Sequence, residues 1–325
     1  MKISPVVFCL VSILIFNSCS KTEELVTIER PEQELFASRK PEDVRQWLDK
    51  YKAIAQAYFG TTRFGQDSAL VNELLKRVND KELDVLYKQV NAEFGTFGDI
   101  QNLLSEAFNR IHENFPDFKP PKVATMVSGF MGPDLIISDT LVVIGLDYFA
   151  GPKAKYRPKG LPAYILRRYQ KEFIAPAIVF ALSDRFNKTN QQDQTLLADM
   201  VYYGKGYVFT KAMLPQTPDS LIIGYTDQQL TQTNNVQEDI WAYFIDAKLL
   251  YEVSPPVKNR YLTERPFTAE IGTRSPGAIG RWLGWRIVGK YYDGKEPGIK
   301  ALMDNDNARQ IFEQSGYKGF KDDNE

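Results

Sequence analysis

Histidine is almost missing: His112 is the single one in 325 residues. A zinc peptidase centre and a two-histidine proton shuttle each need more than one imidazole, so neither can be assembled. A Ser-His-Asp triad would have to take His112 as its base, and no G-x-S-x-G elbow is there to present a serine. An excess of one charge is lacking too. Forty basic side chains against 41 acidic ones leave a net charge of −1, without the basic surplus that draws a protein to phosphate backbones. Nucleic acid is not an expected partner. Two cysteines are too few for a disulfide framework. Long apolar runs are absent apart from Val6 to Phe16, which rises about 16 Å as a helix, against a hydrocarbon core of about 30 Å. A permanent span is not expected. What is plentiful is core material: 43% of the chain is hydrophobic, enough for one large domain.

The apolar run follows Met1-Lys2 and ends in Asn17-Ser18-Cys19, the layout of a secretory signal peptide over residues 1–18. Phe16-Asn17-Ser18-Cys19 resembles a bacterial lipobox, so Cys19 is the expected lipidation site, carrying palmitate-like chains that hold the protein to a membrane of the cell envelope. Each buried CH₂ contributes about 0.8 kcal/mol to such an anchor. Cleavage before Cys19 also leaves no second thiol for a disulfide. Ser20-Lys21-Thr22-Glu23-Glu24 looks like the acidic export tag of some Bacteroidota lipoproteins. Because charged polar stretches bury little surface, residues 19–40 are expected to be lipidated N-terminus and linker.

From Pro41 the pattern becomes helical. Val44, Trp47, Leu48, Tyr51, Ile54 and Tyr58 recur every three or four positions, and further amphipathic segments cover 67–79, 81–94 and 99–115. The period then shortens: 123–130, 135–138 and 140–146 are β-rich and punctuated by Gly132-Pro133-Asp134 and Ser138-Asp139. Helical spacing returns over 162–186, where Pro176 is expected to kink or split the segment, and over 193–214, 235–252, 276–292 and 307–314. Helices, a small central sheet and more helices, without alternating βαβ units, predict a mostly helical α+β fold forming one domain over 41–325.

Few constellations of chemistry survive inspection. His112 sits at the edge of an apolar stripe, as a boundary histidine does. Asp147, Glu172, Asp199, Glu238 and Asp239 are the candidates for the two carboxylates of a glycosidase-type hydrolase, and aromatic residues at 13% could stack on sugars; a surface hydrolase or glycan-binding lipoprotein is therefore the alternative function. Asp304-Asn305-Asp306-Asn307 opens like a calcium loop but has Arg309 at the sixth position and Ser315 at the twelfth, so a helix cap is expected. Gly277, Gly280 and Gly284 mark close backbone packing beside Trp282 and Trp285. Asp67-Ser68-Ala69, Asp139-Thr140-Leu141 and Asp219-Ser220-Leu221 each look like the short O-glycosylation signal of Bacteroidota envelope proteins. No cofactor or metal is expected.

From Ser138 onward the motifs resemble the gliding-motility lipoprotein GldB family of Bacteroidota. The stretches that carry the resemblance are SDTLVVIGLDYFAGPKAKY (138–156), LPAYI (161–165), LLADMVYYGK (196–205), EDIWAYFI (238–245), SPGAIGRWLGWRIV (275–288) and SGYK (315–318). That family is similar in layout to zincin-like metallopeptidases. Laid on their pattern, Pro176-Ala177-Ile178-Val179-Phe180 falls where H-E-x-x-H would lie and Tyr203-Gly204 where Glu-Gly would, so the ligands and the catalytic acid are replaced. The resemblance implies a degenerate zincin-like architecture and a non-enzymatic envelope lipoprotein. Its expected partners are other envelope proteins of the gliding or associated secretion machinery. The interaction surface is expected near the former cleft, around Tyr203, Lys205 and Trp241.

Overall fold

The computed structural model describes residues 25–320; the predicted signal peptide and Cys19 lie outside the described residues. Its centre is a four-stranded mixed sheet in the order β1-β2-β4-β3, built from Ile28–Glu29, Lys122–Met126, Leu141–Gly145 and Leu135–Ile137 respectively. β1, β2 and β4 run parallel, and β3 adds antiparallel at one edge. Four of the five residues of β2 and of β4 are buried, as expected of strands covered on both faces.

Helices α1 (Pro31–Ala37), α2 (Pro41–Lys50), α3 (Lys52–Phe59), α4 (Ser68–Val78), α5 (Lys81–Phe94) and α6 (Gly98–Asn114) precede the main strands. The long 41–58 stripe is two helices, broken where Tyr51 leaves helical geometry at φ −105° and ψ 42°. Downstream come α7 (Ala163–Leu166), α8 (Ile174–Ser183), α9 (Leu196–Met213), α10 (Asp219–Ile223), α11 (Asp227–Asn235) and α12 (Gln237–Asp246). They are followed by α13 (Pro255–Leu262), α14 (Ile279–Lys295), α15 (Ile299–Asp304) and α16 (Ala308–Ser315). The mostly helical α+β expectation holds, and no helix among the described residues is long and apolar enough to cross a membrane.

Residues 28–37 correct the linker expectation. β1 pairs with β2, and α1 buries Leu35 and Phe36 against the core. Glu32 is buried with them, accepting a hydrogen bond from Thr125 Oγ1 at 2.6 Å and pairing with Arg30 at 2.9 Å. Trp47 Nε1 donates to Pro31 O at 2.7 Å, and the Val26 N–H donates to Ser105 Oγ at 2.8 Å. The charge of this segment concealed its order: its carboxylate points inward to partners on β2 and at Arg30 instead of outward to water.

Pro176 does not split the 162–186 segment in mid-helix. It is the third residue of α8, where its missing N–H belongs to the first turn and has no intrahelical acceptor to lose. α9 and α14 cross through glycines. A Cβ on Gly284 would lie 1.9 Å from Met200 O, and one on Gly204 would lie 2.3 Å from Gly284 O. The expected close packing at Gly284 is thus between these two helices, while Gly277 abuts the backbone of Arg265.

Candidate functional site

α8 lies beside β3 and turns Ile174, Ile178, Val179 and Leu182 into the core, which leaves Ala177 and Phe180 facing the other way. These two, with Phe173, form one wall of a cleft of about 300 Å³. Asp134 and Leu135, the approach to and start of β3, also line it, as do Tyr207 of α9 and Arg281 of α14. The glycine crossing of α9 on α14 is what brings Tyr203, Tyr207 and Arg281 together. Arg281 Cζ sits 4.2 Å from the centre of the Tyr203 ring, and Phe180 packs on Tyr207 at 4.8 Å.

Four arginines line the cleft, Arg167, Arg168, Arg265 and Arg281, against two carboxylates, Asp134 and Glu264. Each guanidinium is held. Arg167 donates to Gln229 Oε1 and to Gly224 O, both at 2.8 Å. Arg168 pairs with Glu264, whose other oxygen lies 3.8 Å from Arg281, and Arg265 pairs with Glu270 at 2.8 Å. Asp134 accepts from Tyr169 Oη at 2.7 Å. Burial, and then the neighbouring Arg168, hold the Arg167 guanidinium below its usual range. Burial pushes the Tyr207 phenol up to about 12, with Arg281 opposing it. The result is a cleft with a positive surplus and fixed, forked donors, a surface suited to carboxylates.

The residues expected to form an interaction surface do not converge. Tyr203 is half-buried under Arg281 and does not itself line the cleft. Lys205 is 1% exposed and offers no surface. Its Nζ donates to Lys188 O at 2.8 Å, Met303 O at 3.1 Å and Asn305 O at 2.8 Å, clamping α9 to the loop after α8 and to the C-terminal end of α15. Trp241 is partly buried, its ring packed on Phe312 and Tyr317 against the core. The reason lies in helical phase: on α9, Tyr203 and Tyr207 share one face, whereas Lys205 points elsewhere.

The candidate carboxylates are scattered as well. Asp147 is buried, its Oδ2 accepting the N–H groups of Ser128 at 3.1 Å and Phe130 at 2.8 Å, and burial raises its pKa. Asp199 pairs with Lys258 at 2.7 Å, while Glu172, Glu238 and Asp239 are exposed. None of the five lines the cleft. Pro176 is buried and does not line it either; Ala177 and Phe180 do. Among the described residues, no group of three His, Cys, Asp or Glu side chains is placed to hold a metal. His112 Nδ1 lies 3.1 Å from Phe118 O, and Asn307 caps α16 by accepting from the Gln310 N–H at 2.9 Å. Asp304, at the start of the calcium-like stretch, is bound by Lys188 and Lys300, which lower its pKa to about 2.

The arginine cluster escaped the sequence reading. Arg167-Arg168, Arg265 and Arg281 are about a hundred residues apart in two groups, and only the fold brings them to one cleft. The adjacent pair Arg167-Arg168 next to a helix-breaking stretch was the one local signal.

No curated protein and no solved structure matches the chain. A family model of lipoproteins, described as gliding motility protein GldB, matches residues 17–319. That span takes in the whole sheet, every helix that borders the cleft and the cysteine at position 19, and the chain belongs to the GldB family of gliding motility lipoproteins.

Proposed function

We propose that this protein is a lipid-anchored envelope component of the gliding machinery, or of its associated secretion machinery, that acts by holding other proteins and not by hydrolysis. Family membership supplies the motility and envelope association. The observation that carries the rest is the character of the cleft. At α8 and the residue before it, the side chains are Phe173, Ala177 and Phe180, which bring no lone pair to a metal or a water, while the charged lining is four arginines with Asp134 and Glu264, the one bound by Tyr169 and the other by Arg168. Such guanidiniums bind anions by forked hydrogen bonds and stay protonated at neutral pH, and the two carboxylates beside them are already bound by Tyr169 and Arg168.

Two strains test this reading. Cys19→Ala should release the protein from the membrane fraction and stop gliding. Arg168→Glu should leave the protein anchored and folded while impairing gliding. Normal gliding in the Arg168→Glu strain, or peptide cleavage by the purified wild-type protein that a chelator abolishes, would overturn it.

A further inference from the structure

β3 is an edge strand, and its register determines which backbone groups face away from the sheet. The Gly145 N–H donates to Asp134 O and the Ser138 N–H to Leu141 O. With Leu135 opposite Ile144 and Ile137 opposite Val142, the hydrogen-bonded positions are therefore 134, 136 and 138. Leu135 and Ile137 turn their backbone groups outward. The Leu135 N–H is taken by Asp134 Oδ1 at 2.8 Å. The Leu135 carbonyl and both groups of Ile137 have no partner among the described residues. An open strand edge of this kind is a template for another strand.

The same Leu135 lines the arginine cleft. A chain laid along β3 would thus enter a space whose other walls carry Arg167, Arg168, Arg265 and Arg281, a surplus of one positive charge over Asp134, Glu264 and the Glu270 that pairs with Arg265. Alternate side chains of an added strand point the same way, so acidic residues at every second position share one face, and in the register that turns this face to the cleft those beside Leu135 meet the wall. We propose that β3 and the arginine wall together bind an extended acidic segment of a partner polypeptide by strand addition. This deepens, and rests on, the reading of the cleft as a contact surface.

The test uses the mature chain purified in detergent from its native membrane, with fluorescent decapeptides as probes. The first alternates Val and Glu, the second alternates Val and Lys, and the third is the Val-Glu peptide with alternate backbone nitrogens methylated. The Val-Glu peptide should bind, with an affinity that falls as salt rises. Both other peptides should bind weaker by about tenfold or more, about 1.4 kcal/mol. Ile137→Pro removes one outward N–H and leaves the ladder to β4 intact, as edge strands permit, and should lose binding with unchanged melting. Arg168→Gln should weaken the Val-Glu peptide and spare the residual binding of the Val-Lys one. The proposal falls if no peptide binds, if acidic and basic peptides bind alike, if free glutamate competes as well as the peptide, or if Ile137→Pro melts normally and binds normally. If gliding fails in the Arg168→Glu strain while the peptides do not bind, the contact surface stands and strand addition does not.

Discussion

Gly284→Ala tests the packing that assembles the cleft. The added methyl would sit 1.9 Å from Met200 O and 2.5 Å from its carbonyl carbon, where Cβ contacts are essentially never closer than 3.0 Å. Both obstacles are backbone, so no side chain can swing aside, and α9 and α14 must separate by about 1 Å. Overpacking of this kind costs about 1–3 kcal/mol, and a rigid neighbour puts it near the top of that range. Replacing glycine by alanine inside a helix returns about 1 kcal/mol, leaving a net loss of about 2 kcal/mol. Gly289→Ala is the internal control: it lies on the same helix, and its methyl would meet nothing within 4 Å. That substitution should stabilise by about 0.5–1 kcal/mol. Urea unfolding followed by circular dichroism reads both, and the two variants should differ by about 3 kcal/mol at equal m-value. A Gly284→Ala protein as stable as Gly289→Ala would refute the close helix crossing, and with it the account of how Arg281 reaches Tyr203.

Leu35→Ala should cost about 2–5 kcal/mol, measured by the same unfolding, because Leu35 is a core residue; a linker residue would cost nothing. Lys205→Met takes the donor from Lys188 O and Asn305 O, while Met303 O keeps the Lys188 N–H, and should destabilise by about 1–3 kcal/mol. Burial lowers the Lys205 pKa from 10.5 to about 8, so between those values the unfolded chain binds the extra proton and wild-type stability should rise with pH. The Met variant should lack that rise in a pH series of melting curves. For Asp147 the sign is opposite: burial raises its carboxyl pKa above 3.8, so the native state holds the proton longer and the group adds stability as pH falls from neutrality toward acid. Asp147→Asn should flatten that dependence and cost less than Asp147→Ala, which strands the N–H groups of Ser128 and Phe130.

The elements legible from the residues were those with strong periodicity. The apolar stripes of α4, α5 and α6 and the uninterrupted β2 and β4 needed no tertiary information to be recognised. Short elements were hidden. α10, α11, α13 and α15 have between five and nine residues, too few turns to establish a period, and β1 spans only two. The calcium-like stretch was correctly read as a cap because the glycine and glutamate that a calcium loop requires are visibly missing. The site was legible only in the negative: one histidine cannot supply the two imidazoles of an H-E-x-x-H zinc centre. Its positive content, four guanidiniums in one cleft, depends on contacts between α14 and segments a hundred residues earlier, and nothing local encodes that meeting.

The docking of the first described residues onto the body also sets a leash. Under the proposed lipidation of Cys19, six residues, Ser20 to Leu25, separate the fatty chains from the Val26 N–H fastened to Ser105, a reach of at most about 25 Å. A compact chain of this length is roughly 50 Å across. So tethered, the molecule swivels on its anchor but cannot travel from it, and whatever it grips must come within about 75 Å of the bilayer to be held.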